Sequence, residues 1–97
     1  MSDAGDIHLA DLNEERRRRV LVLSSHRFAR LSHRVLVAPE VFGAPDDVPF
    51  PWRIEVDGAV FAVDLLRSLS ADHLLEQTGR APADAVRRAR QALHAIT

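Results

Sequence analysis

The residues around Asp57-Gly58 restrict the fold more than any other part of the chain. Trp52, Ile54 and Val56 alternate with Arg53 and Glu55, and the apolar residues 59–63 follow the Asp-Gly pair. Alternation with a period of two puts one side of a strand into a core. Asp-Gly supplies the two positive-φ residues that a type I′ turn requires. A β-hairpin is predicted here, and a hairpin is stable in water only when further strands or a helix cover its apolar face.

Partners for the hairpin lie on both sides. Ile7, His8, Leu9, Ala10, Asp11 and Leu12 form a run too short for a helix, with apolar residues on both faces, and are read as a first strand. Val20, Leu21, Val22 and Leu23 make a continuous β-favouring apolar run, a second strand covered on both sides. Residues 26–32 are polar around Phe28 and Leu31 and are expected to be a loop with a single helical turn. Val35, Leu36, Val37 and Ala38 give a third strand. The segment 42–51, with Gly43, Pro45, Asp46, Asp47, Pro49 and Pro51, is expected as an exposed, restricted loop.

Residues 65–75 are ambiguous, with Ser70 a candidate N-cap for a short turn and Leu74-Leu75 a candidate short strand that ends at Gly79. Pro82 suits a first helical turn, and Val86, Ala89, Leu93 and Ile96 recur at spacings of three and four, so a C-terminal amphipathic helix is predicted. The expected fold is mainly β with a C-terminal α-helix. About five short strands form a small curled antiparallel sheet or SH3-like barrel, packed by that one helix. Ninety-seven residues suit a single domain over 1–97, with a disordered start over residues 1–5.

Composition removes several chemistries. With no cysteine there is no disulfide, no thiolate zinc site and no cysteine nucleophile. His8, His26, His33, His73 and His94 lack the spacing of common zinc sites, so neither metal nor cofactor is expected. No run is apolar and long enough to span a bilayer, and the start MSDAGD lacks a basic signal region, so a cytoplasmic location is expected.

The net charge is only −1, but it is unevenly placed. Residues 14–34 carry seven arginines against Glu14 and Glu15, whereas residues 40–64 carry six acids against Arg53. One end of the molecule can therefore attract phosphate while another repels it.

Three stretches, in order, resemble the MazF/PemK/Kid toxins of type II toxin-antitoxin systems, and the resemblance runs from Gly5 to the end. They are GDIHLADL (5–12), RRVLVLSS (18–25) and VDLLRSLS (63–70), followed by Gly79 and a terminal helix. The resemblance implies a homodimeric, metal-independent endoribonuclease that cuts single-stranded RNA and is silenced by a cognate antitoxin. In that chemistry a 2′-hydroxyl attacks the neighbouring phosphorus, leaving a cyclic phosphate and a free 5′-hydroxyl. A base, a proton donor and fixed cations are needed, and arginine suits the last role because its planar fork holds two phosphate oxygens at once.

By the same resemblance Arg18 falls on the family's catalytic arginine, Asp64 on an aspartate that serves as base or orients the site, and Arg67 on an arginine three residues later. His26, close behind the second strand, is a candidate acid or base because its ordinary pKa lies in the useful range. Arg16, Arg17, Arg19 and Arg27 are the candidate RNA contacts. Bland alternatives stand beside these: residues 16–19 as a solvated strand edge, and Asp64 with Arg67 as a strand-ending ion pair. Trp52 is either a stacking platform or a core anchor.

The chain departs from the family at three points. The loop between the first two strands shrinks to about residues 13–17, Val41 stands where the family has a hydroxyl, and Ala62 stands where some members have an arginine acid. These departures keep two further readings in play. One is a CcdB-like toxin that acts on gyrase by protein contact, although the Trp-Gly-Ile ending of that branch is absent. The other is a member that binds without cutting.

Overall fold

Alternating side chains give the sheet of this protein two apolar faces. The computed structural model describes residues 3–42 and 52–97. Seven strands pair antiparallel: β1 (Asp6–Ala10), β2 (Arg18–Val22), β3 (Arg34–Val41), β4 (Arg53–Val56), β5 (Ala59–Ala62), β6 (Arg67–Ser70) and β7 (Leu74–Arg80). Two helices accompany them, α1 (His26–Ser32) and α2 (Ala83–Ile96), and short 3-10 turns cover Val63–Leu65 and Ala71–His73. The order is β4-β5-β3-β2-β1-β7, with β6 also on β3. The first half of β3 pairs with β6 and its end with β5, which lets one strand join both parts of the sheet.

Chain length forces the curl. Across β6-β3-β2-β1-β7, the two outer strands would lie about 19 Å apart in a flat sheet. They are nevertheless consecutive, and the four residues from Ser70 to Leu74 reach at most about 14 Å. The sheet must therefore bend to bring its ends together. Backbone bonds fix the connecting turn to both ends, Ala71 N–H to the His33 carbonyl and Asp11 N–H to the His73 carbonyl, each at 2.9 Å. Pairing does not run all the way round, so the curled sheet is open and not a closed barrel.

Inside the curl Ala10, Leu12, Val20, Val22, Val35, Val37 and Leu69 pack together. The other face carries Ile7, Leu21, Ala38, Ile54, Phe61 and Val63 beneath α2. That helix buries Ala85, Ala89 and Ala92, with Val86 and Leu93 half-buried beside them and Ile96 exposed. The buried stripe thus sits one position away from the expected Val86, Ala89, Leu93, Ile96 line. Small alanines let the helix axis approach the sheet, and the larger side chains flank the contact.

The Asp57-Gly58 hairpin forms as expected, with φ of 50° and 84° at its two turn residues and Ile54 opposite Phe61. Trp52 packs against the core under α2, which makes it an anchor for this hairpin. Two strands exceed the expected five, although the second begins at Leu74-Leu75, the candidate short strand, and follows the short turn Ala71–His73 that begins after Ser70. β6 has one buried apolar residue, Leu69, and β7 is mostly exposed, with register shifts against β1, so neither carries an apolar period.

Residues 26–32 are a full helix and not a loop with one turn. Ser25 caps it by accepting the Phe28 N–H at 3.1 Å, and His33 closes it in the left-handed region. None of its residues is buried, so no apolar stripe announced it. Of the start over residues 1–5, residues 3–5 make hydrogen bonds to the rest of the fold. Gly5 donates to the Val22 carbonyl at 2.9 Å and accepts from Ala81 at 2.7 Å, while the Asp3 carboxylate accepts the Ala4 and His26 N–H groups. The expected loop at 42–51 lies, beyond Phe42, outside the described residues.

Candidate functional site

Four consecutive arginines meet different fates because β2 begins within them. Arg18 and Arg19, as neighbours on a strand, point to opposite faces. Arg18 shares the inner face with Val20 and Val22, and its partner on β1 is Ala10. Its guanidinium donates to the Glu14 carboxylate at 2.9 Å, and both side chains remain about one-third exposed. Arg19 goes to the other face, where it donates from Nε and Nη2 to the two oxygens of buried Glu40 at 3.0 and 2.7 Å. The carboxylate holds the Arg19 guanidinium above its already high pKa, chiefly through this hydrogen bond. Of the expected RNA contacts, Arg19 is thus committed to a structural pair.

Arg16 and Arg17 precede the strand and are exposed. With Glu14, Glu15, Arg18 and Phe42 they line an open concavity of about 620 Å³. Neither makes an ion pair or side-chain hydrogen bond among the described residues.

Asp64 does not join this group. Arg53 donates to its two carboxylate oxygens at 2.9 and 3.1 Å, tying the start of β4 to the turn after β5. The acid–arginine pair expected for Asp64 therefore forms with Arg53 and not with Arg67. Arg67, exposed on β6, lies opposite Val37, which in turn lies opposite Val22. Residues directly opposite share a face, so Arg67 and Arg18 stand on the same side of the sheet. They are two strands apart and offset by the four residues from Val22 to Arg18, about 13 Å along the strand.

His26 and Arg27 open α1, beyond the far end of β2, so at least that same 13 Å separates them from Arg18. His8, half-buried on β1, has Nδ1 3.2 Å from the Leu75 carbonyl, and its buried Nε2 finds no partner among the described residues. Val41 ends β3 and Ala62 ends β5, so neither position brings a polar side chain. Among the described residues no three His, Asp or Glu side chains gather as metal ligands. Among the same residues no helix is long and apolar enough to cross a membrane.

Sequence reasoning missed three participants: Glu14, Glu40 and Phe42. The spacing of four between Glu14 and Arg18 was available as a signal for the first. Glu40 became visible only when β2 and β3 paired, because its partner is 21 residues away. Phe42 stood next to a polar, proline-rich segment with nothing in the sequence to show that it faces the arginines.

What this arrangement can do is bind an anion. Arg16, Arg17 and Arg18 converge on one open surface, and the acid nearest to Arg18 is itself solvent-accessible and displaceable.

Comparison with known proteins identifies the family and the fold. Residues 3–97 match the family described as the PemK-like, MazF-like toxin of type II toxin-antitoxin system. A MazE-MazF structure from Deinococcus radiodurans superposes with a TM-score of 0.82 at 25% identity, covering 98% of this chain and 93% of that one. A second form of it reaches 29% identity with a TM-score of 0.77, covering 98% and 94%. An endoribonuclease from Mycobacterial species shares the fold at a TM-score of 0.80 and 15% identity, covering 97% and 88%. No protein of curated function matches the sequence. With the family matched over nearly its whole length and the curled sheet and terminal helix superposing on MazF, this chain belongs to the PemK-like, MazF-like toxins of type II toxin-antitoxin systems.

Proposed function

We propose that this toxin is a metal-independent endoribonuclease acting on single-stranded RNA, with Arg18 meeting the scissile phosphate. The supporting observation is the position of Arg18: on the inner face, partly exposed, beside Arg16 and Arg17, its Nη2 donating to the accessible carboxylate of Glu14 and its Nη1 to the Glu40 carbonyl at a long 3.4 Å. An incoming phosphate offers the same two-oxygen geometry as a carboxylate and can take its place.

In this reading the 2′-oxygen forms a bond to phosphorus as the bond from phosphorus to the 5′-oxygen breaks. Glu14, released from Arg18 by the phosphate, is the acid within reach to accept the 2′-proton, and water in the open concavity returns a proton to the departing 5′-oxygen. Arg18 neutralises the charge that builds on the phosphoryl oxygens. Arg67, on the same face, is placed to hold a more distant phosphate of the same strand. Asp64 and His26 have no part in the step, the first because Arg53 occupies it and the second because it lies beyond the far end of β2.

The named relatives suggest the partners. The Deinococcus structures are MazE-MazF pairs, and another mycobacterial endoribonuclease is described in complex with its cognate antitoxin. A cognate antitoxin and a homodimer are proposed for this chain by that likeness. Incubating the purified chain, free of antitoxin and in the presence of a chelator, with a long single-stranded RNA tests the activity. Fragments ending in cyclic phosphate with free 5′-hydroxyls are expected, and intact RNA rejects the proposal.

One observation favours a second reading, a toxin that binds without cutting. The pairing of Asp64 with Arg53, together with Val41, removes two groups that the family likeness places in the reaction. RNA bound but left intact, with Arg18→Ala abolishing binding, is the outcome that this reading requires. A CcdB-like action on gyrase instead requires arrested gyrase cleavage in a direct assay.

A further inference from the structure

The described phenylalanines differ sharply in burial. Phe61 is fully buried, whereas Phe42, one residue past the end of β3, is 75% exposed. Its ring lines the same concavity as Arg16, Arg17 and Arg18. Leaving a phenyl ring in water forgoes the stabilisation that burial would bring. An exposed aromatic side chain lining one open concavity with Arg16 and Arg17 fits one kind of ligand well, a strand whose flat bases alternate with phosphates.

Phe42 also stands where such a ring is otherwise lacking. The connection between β1 and β2, residues 11–17, is short and carries no aromatic residue. Among the described residues lining the concavity, only the end of β3 brings a ring to the arginines.

We infer that Phe42 is a stacking platform for an unpaired nucleobase, with Arg16 and Arg17 holding the phosphates that flank it, so that the strand is positioned over Arg18. This subsite rests on the ribonuclease reading above and adds to it a determinant of single-strand preference. A base must leave its own stack to lie on Phe42, which a duplex resists and a single strand does not.

Fluorescence anisotropy with an end-labelled 2′-O-methyl single-stranded RNA, which lacks the attacking hydroxyl, measures binding without cleavage. Phe42→Ala is expected to weaken it by about fivefold to a hundredfold, the range for loss of one base–aromatic stack. Phe42→Trp is expected to retain wild-type affinity and Phe42→Leu to behave like Phe42→Ala, because stacking needs a ring. Affinity for duplex RNA should be unchanged across the series. Since Phe42 is largely exposed, all three variants should melt with the wild-type protein.

Full affinity in Phe42→Leu, unchanged single-strand binding in Phe42→Ala, or no binding by the wild-type chain overturns the subsite. So does a Phe42→Ala protein that keeps RNA but loses an acidic apolar peptide, which would assign the ring to a protein partner. The two proposals separate cleanly. Phe42-dependent binding by a chain that leaves cleavable RNA intact sinks the nuclease and keeps the subsite, whereas cutting with Phe42-independent binding does the reverse.

Discussion

Arg19 grips Glu40 across the β2–β3 pair, Nε and Nη2 each donating to a different carboxylate oxygen, while its neighbour Arg18 faces the opposite side of the sheet. Glu40 is buried and Arg19 nearly half exposed, so the acid depends on the arginine more than the reverse. Arg19→Ala leaves a buried charge with one partner fewer and is expected to cost about 2–3 kcal/mol of stability. Chemical denaturation measures it. Any loss of RNA binding in this variant should follow the unfolded fraction.

Arg18→Ala is expected to act in the opposite manner. Melting should change little, because its Glu14 partner is accessible, such pairs contribute at most about 1 kcal/mol, and its other bond, to the Glu40 carbonyl, is long at 3.4 Å. RNA cleavage should fall by about a hundredfold to a thousandfold, the effect of removing one preorganised charge stabiliser. Single-turnover rates with a labelled RNA read the difference.

Asp64→Asn tests the position that the family resemblance marks as functional. Because Arg53 takes both carboxylate oxygens, the expected result is a stability loss of at most about 1 kcal/mol, both side chains being partly exposed, with the cleavage rate within about threefold of wild type. A rate loss as large as that of Arg18→Ala would return Asp64 to the site.

Gly5 joins the N-terminal segment to both β2 and the start of α2. Its φ is 97°, and a Cβ there would lie 2.8 Å from the Val86 Cγ2. Gly5→Ala is expected to destabilise by about 1–3 kcal/mol, through left-handed strain and the displacement of α2. Gly58, also at positive φ but with open space around it, should lose only about 1 kcal/mol as alanine. Thermal melts of the two variants compare the contributions directly.

Asp3 gives a signed dependence on pH. Its carboxyl is held below the ordinary 3.8 by accepting the Ala4 N–H, then the His26 N–H. A depressed folded-state pKa means that its contribution is fully present above the unfolded pKa and is lost as pH falls through the folded one. Acidification below about pH 4 should therefore progressively weaken the bond from the His26 N–H to the Asp3 carboxylate, while the Gly5 backbone bonds keep the segment in place. Asp3→Asn should remove that acid transition, as followed by hydrogen exchange at the His26 amide.

Elements with a strong local pattern are legible in the chain itself. The Asp57-Gly58 turn, the apolar run at residues 20–23 and the helix after Pro82 each announce themselves through neighbours within a few residues. β6 gives no such signal and β7 only the Leu74-Leu75 pair at its start, since their pairing with β3 and β1 depends on backbone groups that every sequence carries. α1 is equally silent, being held by a cap and not by a buried stripe.

The site divides along the same line. The cluster of arginines near the second strand, and the resemblance to MazF-type toxins, come from the residues alone, because charge and strand pattern are local properties. Only the tertiary structure decided which arginine does what. Pairing of β2 with β3 assigned Arg19 to Glu40, the base of the hairpin gave Asp64 to Arg53, and the end of β3 brought Phe42 to Arg16, Arg17 and Arg18. Each of those partnerships spans at least eleven residues, and a contact between distant segments is fixed by strand register and by the face each side chain takes, neither of which the chain displays until it folds.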